Sequence, residues 1–401
     1  MIEKLSQIVG GEHVEPIDAD VPTWRVTPGS AVEVAEVVRA VGANGGALYP
    51  VGAGGRPRGT MTDPRPRVQI ATKRLDQILQ LDETSLLVHA QTGITGIDLE
   101  RILQQRNLSL GDYPPVILAS SLGGIVAVRT PGKSSARHGF FEEAVVGVSA
   151  VLADGRTVHT RVAPRRATGP DLSRALCGSE GTIGFITSIV LRIHQRPESR
   201  LVAAYVVPTM EHALDAVYLA LREEAAPSGV RIYDAIEAAK HYNGLKLPSP
   251  KHALLVAATA GPTDLCACDR DLISSAVLAE GGHPTDTALA DLWWRRLHAG
   301  EPTPGPAPTL QVMATPSRLK GVYRAVVDAI GGDARAHISR FDADGAVVFF
   351  SFDGDVKVAE RAAIGAGGWL LGTRAEKLDA YLRALRASLD PKSIMNPGLL
   401  A

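Results

Sequence analysis

The sequence predicts an α+β protein of two domains. Three observations carry this. Short apolar strands alternate with amphipathic helices from Trp24 to about residue 196. Composition changes near Pro197, and helices then mix with strands to about residue 372, as expected of a largely antiparallel sheet carrying helices. At 401 residues the chain also exceeds one ordinary domain.

Each element has a local reason. Ser30 with Glu33 fits a capping box, and Val34, Val37, Val38 and Val41 form the stripe of a helix that Asn44-Gly45-Gly46 ends. Ala47 to Val51 reads as a short buried strand, followed by the glycine-dense loop Gly52-Ala53-Gly54-Gly55. Further strands are expected over residues 68–72 and 86–91. A helix over 96–107, capped by Thr95, carries Ile97, Leu99, Ile102 and Leu103. Residues 114–139 are rich in Gly, Ser and Pro and read as a long irregular segment, which in a compact domain points to function. Residues 145–152 and 157–162 form a hairpin around Asp154-Gly155, and 183–194 are a last apolar strand. Pro- and Gly-rich links such as Glu301-Pro302-Thr303-Pro304-Gly305-Pro306 divide the second segment. A helix over 376–389 leads to Asp390-Pro391 and the loop Asn396-Pro397-Gly398.

Composition narrows the function classes. The net charge is −1, from 42 basic and 43 acidic side chains, with 45% hydrophobic and 21% charged residues. That balance fills a globular core and offers no cationic excess for nucleic acid or an anionic membrane. The basic runs Arg65-Pro66-Arg67 and 161–166 are short and read as solvated surface. Cys177, Cys266 and Cys268 suit neither a disulfide framework nor a zinc knuckle, and no metal is expected. Met1-Ile2-Glu3-Lys4-Leu5 lacks a signal-peptide pattern, and no apolar run approaches the ~18 residues of a bilayer span. The expectation is a soluble, cytoplasmic protein. Trp293-Trp294 reads as helix packing rather than as a substrate wall.

Four small-residue loops carry the chemistry. Pro50-Val51-Gly52-Ala53-Gly54-Gly55 leaves a buried strand. Successive glycines let backbone N–H groups converge on one concavity, which is how a chain holds a diphosphate without side-chain charge. It is not the Rossmann fingerprint, since the third glycine is missing. Ser120-Ser121-Leu122-Gly123-Gly124 follows, with Gly132 and Arg137-His138-Gly139 downstream. Then come Thr168-Gly169-Pro170-Asp171-Leu172 and Gly178-Ser179-Glu180-Gly181-Thr182-Ile183-Gly184, and finally Asn396-Pro397-Gly398.

In that order the loops resemble the FAD domain of the vanillyl-alcohol oxidase / para-cresol methylhydroxylase (PCMH-type) flavoproteins, over about residues 22–196 plus the last turn and helix. Residues 167–172 and Pro227-x-x-x-Arg231-x-Tyr233-Asp234 are most similar to alkyldihydroxyacetone phosphate synthases and D-2-hydroxy-acid dehydrogenases. The resemblance implies a two-subdomain FAD-binding domain formed by residues 1–196 with 373–401, around an inserted α+β cap at 197–372. It implies that Gly52, Ala53, Gly54 and Gly55 wrap the pyrophosphate. Ser121, Gly123, Gly124, Gly178 and Gly181 would line the flavin and adenosine halves, and Ile186 would meet adenine through its backbone. Pro115, Thr182 and Asn396 complete the implied FAD set. A homodimer is compatible with the resemblance.

The departures are informative. Relatives with covalent FAD carry a histidine where this chain has Gly55, so a dissociable flavin is expected. Gly55-Arg56 replaces a common Thr-Ser, and Arg56 either pairs with a phosphate or faces solvent. Ala336-His337-Ile338-Ser339-Arg340 resembles the element that sets histidines over the flavin, with Arg340 in place of the second one. Gly365-Ala366-Gly367-Gly368-Trp369 replaces a histidine-rich loop.

Oxidation of an alcohol carbon requires a base for the hydroxyl proton and a cation for a carboxylate. His337 is the first candidate base and Tyr233 the second. Arg340 and Arg231 suit an anionic small molecule. The favoured expectation is an FAD-linked oxidase or dehydrogenase passing a hydride to flavin N5. The alternatives are a synthase-like substitution through a flavin N5 adduct, and an FAD-binding protein with reduced catalysis.

Overall fold

The computed structural model describes residues 1–55, 57, 61–111, 113, 115–129, 135–138, 141–162, 171–242, 245–298, 309–331, 334–371 and 380–399. Ala47–Val51 is the edge of a four-stranded sheet in the order Val14–Ile17, Thr23–Val26, Arg67–Ala71, Ala47–Val51. The first pair is antiparallel and the other two are parallel, and helix Ala31–Ala43 carries the chain back between Thr23–Val26 and Ala47–Val51. Val34, Val37, Val38 and Val41 of that helix pack on Val26, Val68 and Ile70, joined by Leu5 and Val9 of an N-terminal helix Ile2–Val9. Ser30 Oγ accepts from the Glu33 N–H, while the Glu33 carboxylate accepts from the Gly29 N–H at 2.8 Å, one residue before the usual capping-box partner.

The chain's last described residues return to this sheet. Ile394 and Met395 are buried in the same core, the Leu48 N–H donates to Ile394 C=O (2.7 Å), and the Asn396 N–H donates to Leu48 C=O (2.7 Å). Beside it stands a five-stranded antiparallel sheet, ordered Ile78–Asp82, Leu87–Gln91, Phe185–Arg192, Val145–Val151, Thr157–His159. Val151 and Phe185 bury into the first core, and Val88, Ala90 and Ile189 into a second core with helix Gly96–Gln104.

The segment expected to be irregular over 114–139 contains short helices at Pro115–Leu118, Leu122–Ala127 and Ser135–His138. Helix Leu122–Ala127 tolerates two glycines because Ser121 Oγ caps the Gly124 N–H, and because Gly123 lies so close to Thr92 that a Cβ there would meet its Cβ at 2.9 Å.

Residues 199–371 build an eight-stranded sheet, antiparallel throughout. Its central order is Ser199–Val207, Ala253–Gly261, Gly229–Asp234, Arg335–Ser339, Ala346–Ser351, Leu310–Ala314. The period of two decides everything that follows. Val230, Ile232, Leu255, Ile338, Val348 and Phe350 turn to one face, under helices Met210–Arg222, Thr263–Ala279, Pro316–Ile330 and Val356–Gly365. Arg231, Tyr233, His337, Ser339 and Phe349 alternate onto the opposite face, where helices Ala235–His241 and Thr287–His298 pack. No helix among the described residues is long and apolar enough to cross a membrane.

Candidate active site: a glycine-walled groove and a cationic sheet face

The strand Ala47–Val51 ends at the mouth of a groove lined by Gly52, Ala53, Gly54, Ser121, Gly123, Gly124, Gly181 and Ile186. The Gly55 N–H closes a tight turn on Gly52 C=O at 3.1 Å, with Gly55 at a φ of 66°, a conformation that disfavours a side chain. A Cβ on Gly52 would meet Ser121 Oγ at 2.5 Å, so the two loops approach as closely as backbone allows; a Cβ on Gly54 would instead enter open space. Backbone-walled concavity of this kind fits a diphosphate. Gly181 holds a φ of 75° against Pro50, and the Ile186 carbonyl accepts from Thr92 Oγ1 at 2.8 Å.

The other expected FAD residues are placed differently. Ser121 is buried and its hydroxyl is committed to the helix cap. Gly178, at a φ of 77°, packs on Arg129, and Thr182 Oγ1 donates to Ser179 C=O at 2.7 Å; both shape the loop without lining the groove. Asn396 Nδ2 donates to the carbonyl of Glu180 at 2.7 Å. Pro115 stands in a separate cleft with Glu100, Tyr113, Arg200 and Trp294, where the Arg200 guanidinium lies 4.3 Å from the Trp294 ring centroid. Trp293 is core, as expected. Arg56, Gly132, Gly139 and Thr168-Gly169-Pro170 lie outside the described residues.

The sheet gathers the other candidates. Tyr233 pairs across strands with His337, and Arg231 with Ser339. Arg231 Nη1 donates to Tyr233 Oη at 3.3 Å. The His337 ring stacks on its cross-strand partner Phe349 with centroids 4.7 Å apart and planes within 6°. Strand Arg335–Ser339 ends where Arg340 takes a φ of 59°, and its guanidinium comes to 4.9 Å from the same Phe349 ring. Residues three apart on a regular strand would face opposite ways; this left-handed residue supplies the bend. Burial, and then the neighbouring Arg231, push the Arg340 guanidinium down to about 10. Helix Ser135–His138 packs against strand Gly229–Asp234.

Behind this face the sequence reading named Asp234 only within a motif and missed Glu237, His241 and Arg335. Asp234 caps helix Ala235–His241, accepting from the Glu237 N–H at 2.7 Å and from the Ala336 N–H; burial raises its carboxyl to about 7. Glu237 Oε1 lies 3.3 Å from His337 Nδ1 and 3.5 Å from His241 Nδ1, and Oε2 lies 3.2 Å from Arg335 Nε. Burial pushes His241 down to about 4, against the pull of Glu237. The available signal was Asp234 followed three residues later by Glu237, a helix-start pattern with Glu237 and His241 one turn apart.

Comparison with known proteins agrees with the geometry. Residues 22–161 match the family described as FAD binding domain, and residues 196–363 and 361–400 match FAD linked oxidases, C-terminal domain. The chain is 28% identical over 309 residues to the uncharacterized FAD-linked oxidoreductase YgcU of Escherichia coli (strain K12), covering 77% of this chain and 62% of that protein. It is 28% identical over 219 residues to a mitochondrial D-lactate dehydrogenase [cytochrome] of Arabidopsis thaliana, covering 54% of this chain and 38% of that one. The chain thus matches less than two thirds of the length of these relatives. In fold it is similar to an alkyldihydroxyacetonephosphate synthase structure, with a TM-score of 0.74 at 21% identity, over 94% of this chain and 77% of that one.

Proposed function

Since the chain belongs to the FAD-linked oxidases, we propose that it is an oxidase or dehydrogenase of an anionic hydroxylated small molecule, with FAD held non-covalently along the glycine groove. FAD, when bound, accepts the hydride at N5. The chain supplies the rest. Arg231 and Arg340 hold the carboxylate, each through a planar fork of N–H donors. His337 takes the hydroxyl proton, its ring oriented by Glu237, whose Oε1 lies 3.3 Å from Nδ1. Stacking on Phe349 fixes the ring plane. Tyr233, with its hydroxyl against Arg231 and its acidity weakened by burial, serves as a neutral hydrogen-bonding group rather than as the base.

The reading is supported above all by one arrangement: two guanidiniums and an imidazole on a single sheet face, Arg340 and His337 against Phe349 and Arg231 against Tyr233. A D-lactate dehydrogenase among the relatives acts, by its name, on an anion of this kind. The test is anaerobic addition of short 2-hydroxy acids to the FAD-loaded protein, following the yellow absorbance. Bleaching supports the reading. Unbleached flavin with every hydroxy acid, together with an alkyl-transfer product, would replace it with the synthase-like substitution.

A further inference from the structure

We propose that this site takes a dianion, a hydroxylated small molecule whose second anionic group is held by Arg296. The inference rests on the reading that an anionic substrate meets this face, and adds a second subsite to it.

Around this face, Arg231 Nε, Arg340 Nε and Arg296 Nη1 are buried without a hydrogen-bond partner. Arg296 reaches the cluster from helix Thr287–His298, with its guanidinium 6.0 Å from the Tyr242 ring centroid. Tyr242 meets Tyr233 edge-on at 5.7 Å, and the Arg231 guanidinium lies 5.8 Å from the Tyr233 centroid. Arg231 and Arg296 therefore stand on different rings of one aromatic pair. Arg340, by contrast, directly follows Ser339, the cross-strand partner of Arg231.

The nearby carboxylates do not answer this charge. Glu237 is shared among Arg335, His337 and His241. Asp234 is turned to the backbone amides of Glu237 and Ala336. Among the described residues, no ion pair joins either carboxylate to Arg231, Arg296 or Arg340. A buried guanidinium nitrogen without a partner is costly, and a guanidinium is satisfied best by a bidentate carboxylate or phosphate. One carboxylate can serve the neighbouring Arg231 and Arg340. It does not also serve Arg296 on the far ring, and a second anionic group on the same ligand does.

The test uses FAD-loaded protein and unreactive ligands in isothermal titration: butyrate with one charge, glutarate with two carboxylates, and 3-phosphonopropionate with a carboxylate and a phosphonate. At least one dianion should bind roughly tenfold or more tightly than butyrate, a difference of about 1.4 kcal/mol. Whichever dianion wins tells a dicarboxylate from a phosphate-bearing substrate. In R296M that ratio should collapse towards one. R296K, which keeps the charge without the fork, should fall between. FAD content and circular dichroism verify that the variants fold. Equal binding of all three ligands, or an unchanged ratio in both variants, overturns the inference. Bleaching by monoanionic hydroxy acids with a ratio of one removes the subsite and leaves the oxidoreductase reading. A ratio sensitive to Arg296 without bleaching by any hydroxy acid does the reverse.

Discussion

Asn396 and Glu180 are 216 positions apart, yet the Asn396 side-chain amide donates to the Glu180 carbonyl at 2.7 Å. Glu180 and Gly181 both hold left-handed conformations, with φ of 49° and 75°. A loop in that conformation persists only when its surroundings fix it. The Asn396 N–H is tied in turn to Leu48, on the strand that leads into Gly52. One residue thus joins two of the loops that frame the groove. Asn396→Ala removes about 1 kcal/mol of hydrogen bonding. It should raise the Kd for FAD by roughly fivefold to tenfold. Quenching of FAD fluorescence on titration measures this. Unaltered FAD affinity with a lowered melting temperature would reduce Asn396 to a structural tie.

The groove makes two further expectations concrete. A Cβ at Gly54 points into open space, so Gly54→Asp should leave the fold intact while setting a carboxylate against the FAD diphosphate. Flavin occupancy after purification should fall to near zero with an unchanged circular dichroism spectrum. Normal occupancy would make the loop an ordinary turn. Gly55 also offers no attaching side chain, so acid precipitation of the parent protein should release all its yellow colour. Colour retained in the pellet would mean a covalent link.

Much of this was legible in the sequence, and what was not has physical causes. Ala47–Val51 and the Ser30 cap were readable because apolar runs and capping residues act locally. Strand Ile78–Asp82 was not, since it is a sheet edge with no fully buried residue. Helix Leu122–Ala127 contradicts the propensity of its two glycines and forms because Gly123 packs on Thr92, a contact made by tertiary structure. At the site, His337 and Arg231 stood in motifs. The approach of Glu237 to His337 spans a hundred residues and depends on sheet register, and Arg296 enters from a helix that carried no motif.

Acid stability reports on the same cluster. The His241 pKa of about 4 lies below the unfolded value near 6.5, so its contribution is fully present above 6.5 and lost as pH falls towards 4. The Asp234 pKa of about 7 lies above the unfolded value near 3.9, so its contribution is present below that value and lost as pH rises towards 7. Over the shared window the two oppose one another. His241→Asn removes the first. Between pH 7 and 5 the variant should therefore gain stability relative to the parent, on the order of 2 kcal/mol. Urea midpoints at the two pH values give the comparison, and parallel profiles would show that His241 does not titrate as its burial requires.

On the proposed function His337 and Arg340 divide the chemistry, so their variants should fail differently. His337 lies on a regular strand with Glu237 at its Nδ1 and Phe349 beneath its ring. Removing it takes away the proton acceptor but neither guanidinium. His337→Ala should slow the limiting rate of flavin reduction by roughly 10²–10⁴-fold, the usual loss with a general base, with a smaller change in substrate Kd. Arg340 reaches the same ring only through its left-handed backbone, and it carries charge rather than a transferable proton. Arg340→Ala should mainly raise the substrate Kd, and Arg231, paired with Ser339 next to Arg340 in the sheet, should keep the loss partial. Anaerobic stopped-flow reduction over a range of substrate concentrations separates limiting rate from Kd. Both variants should retain FAD, since neither residue lines the glycine groove. A limiting rate lost in Arg340→Ala and kept in His337→Ala would exchange the two roles. Unchanged kinetics in both would move the chemistry off this sheet face altogether.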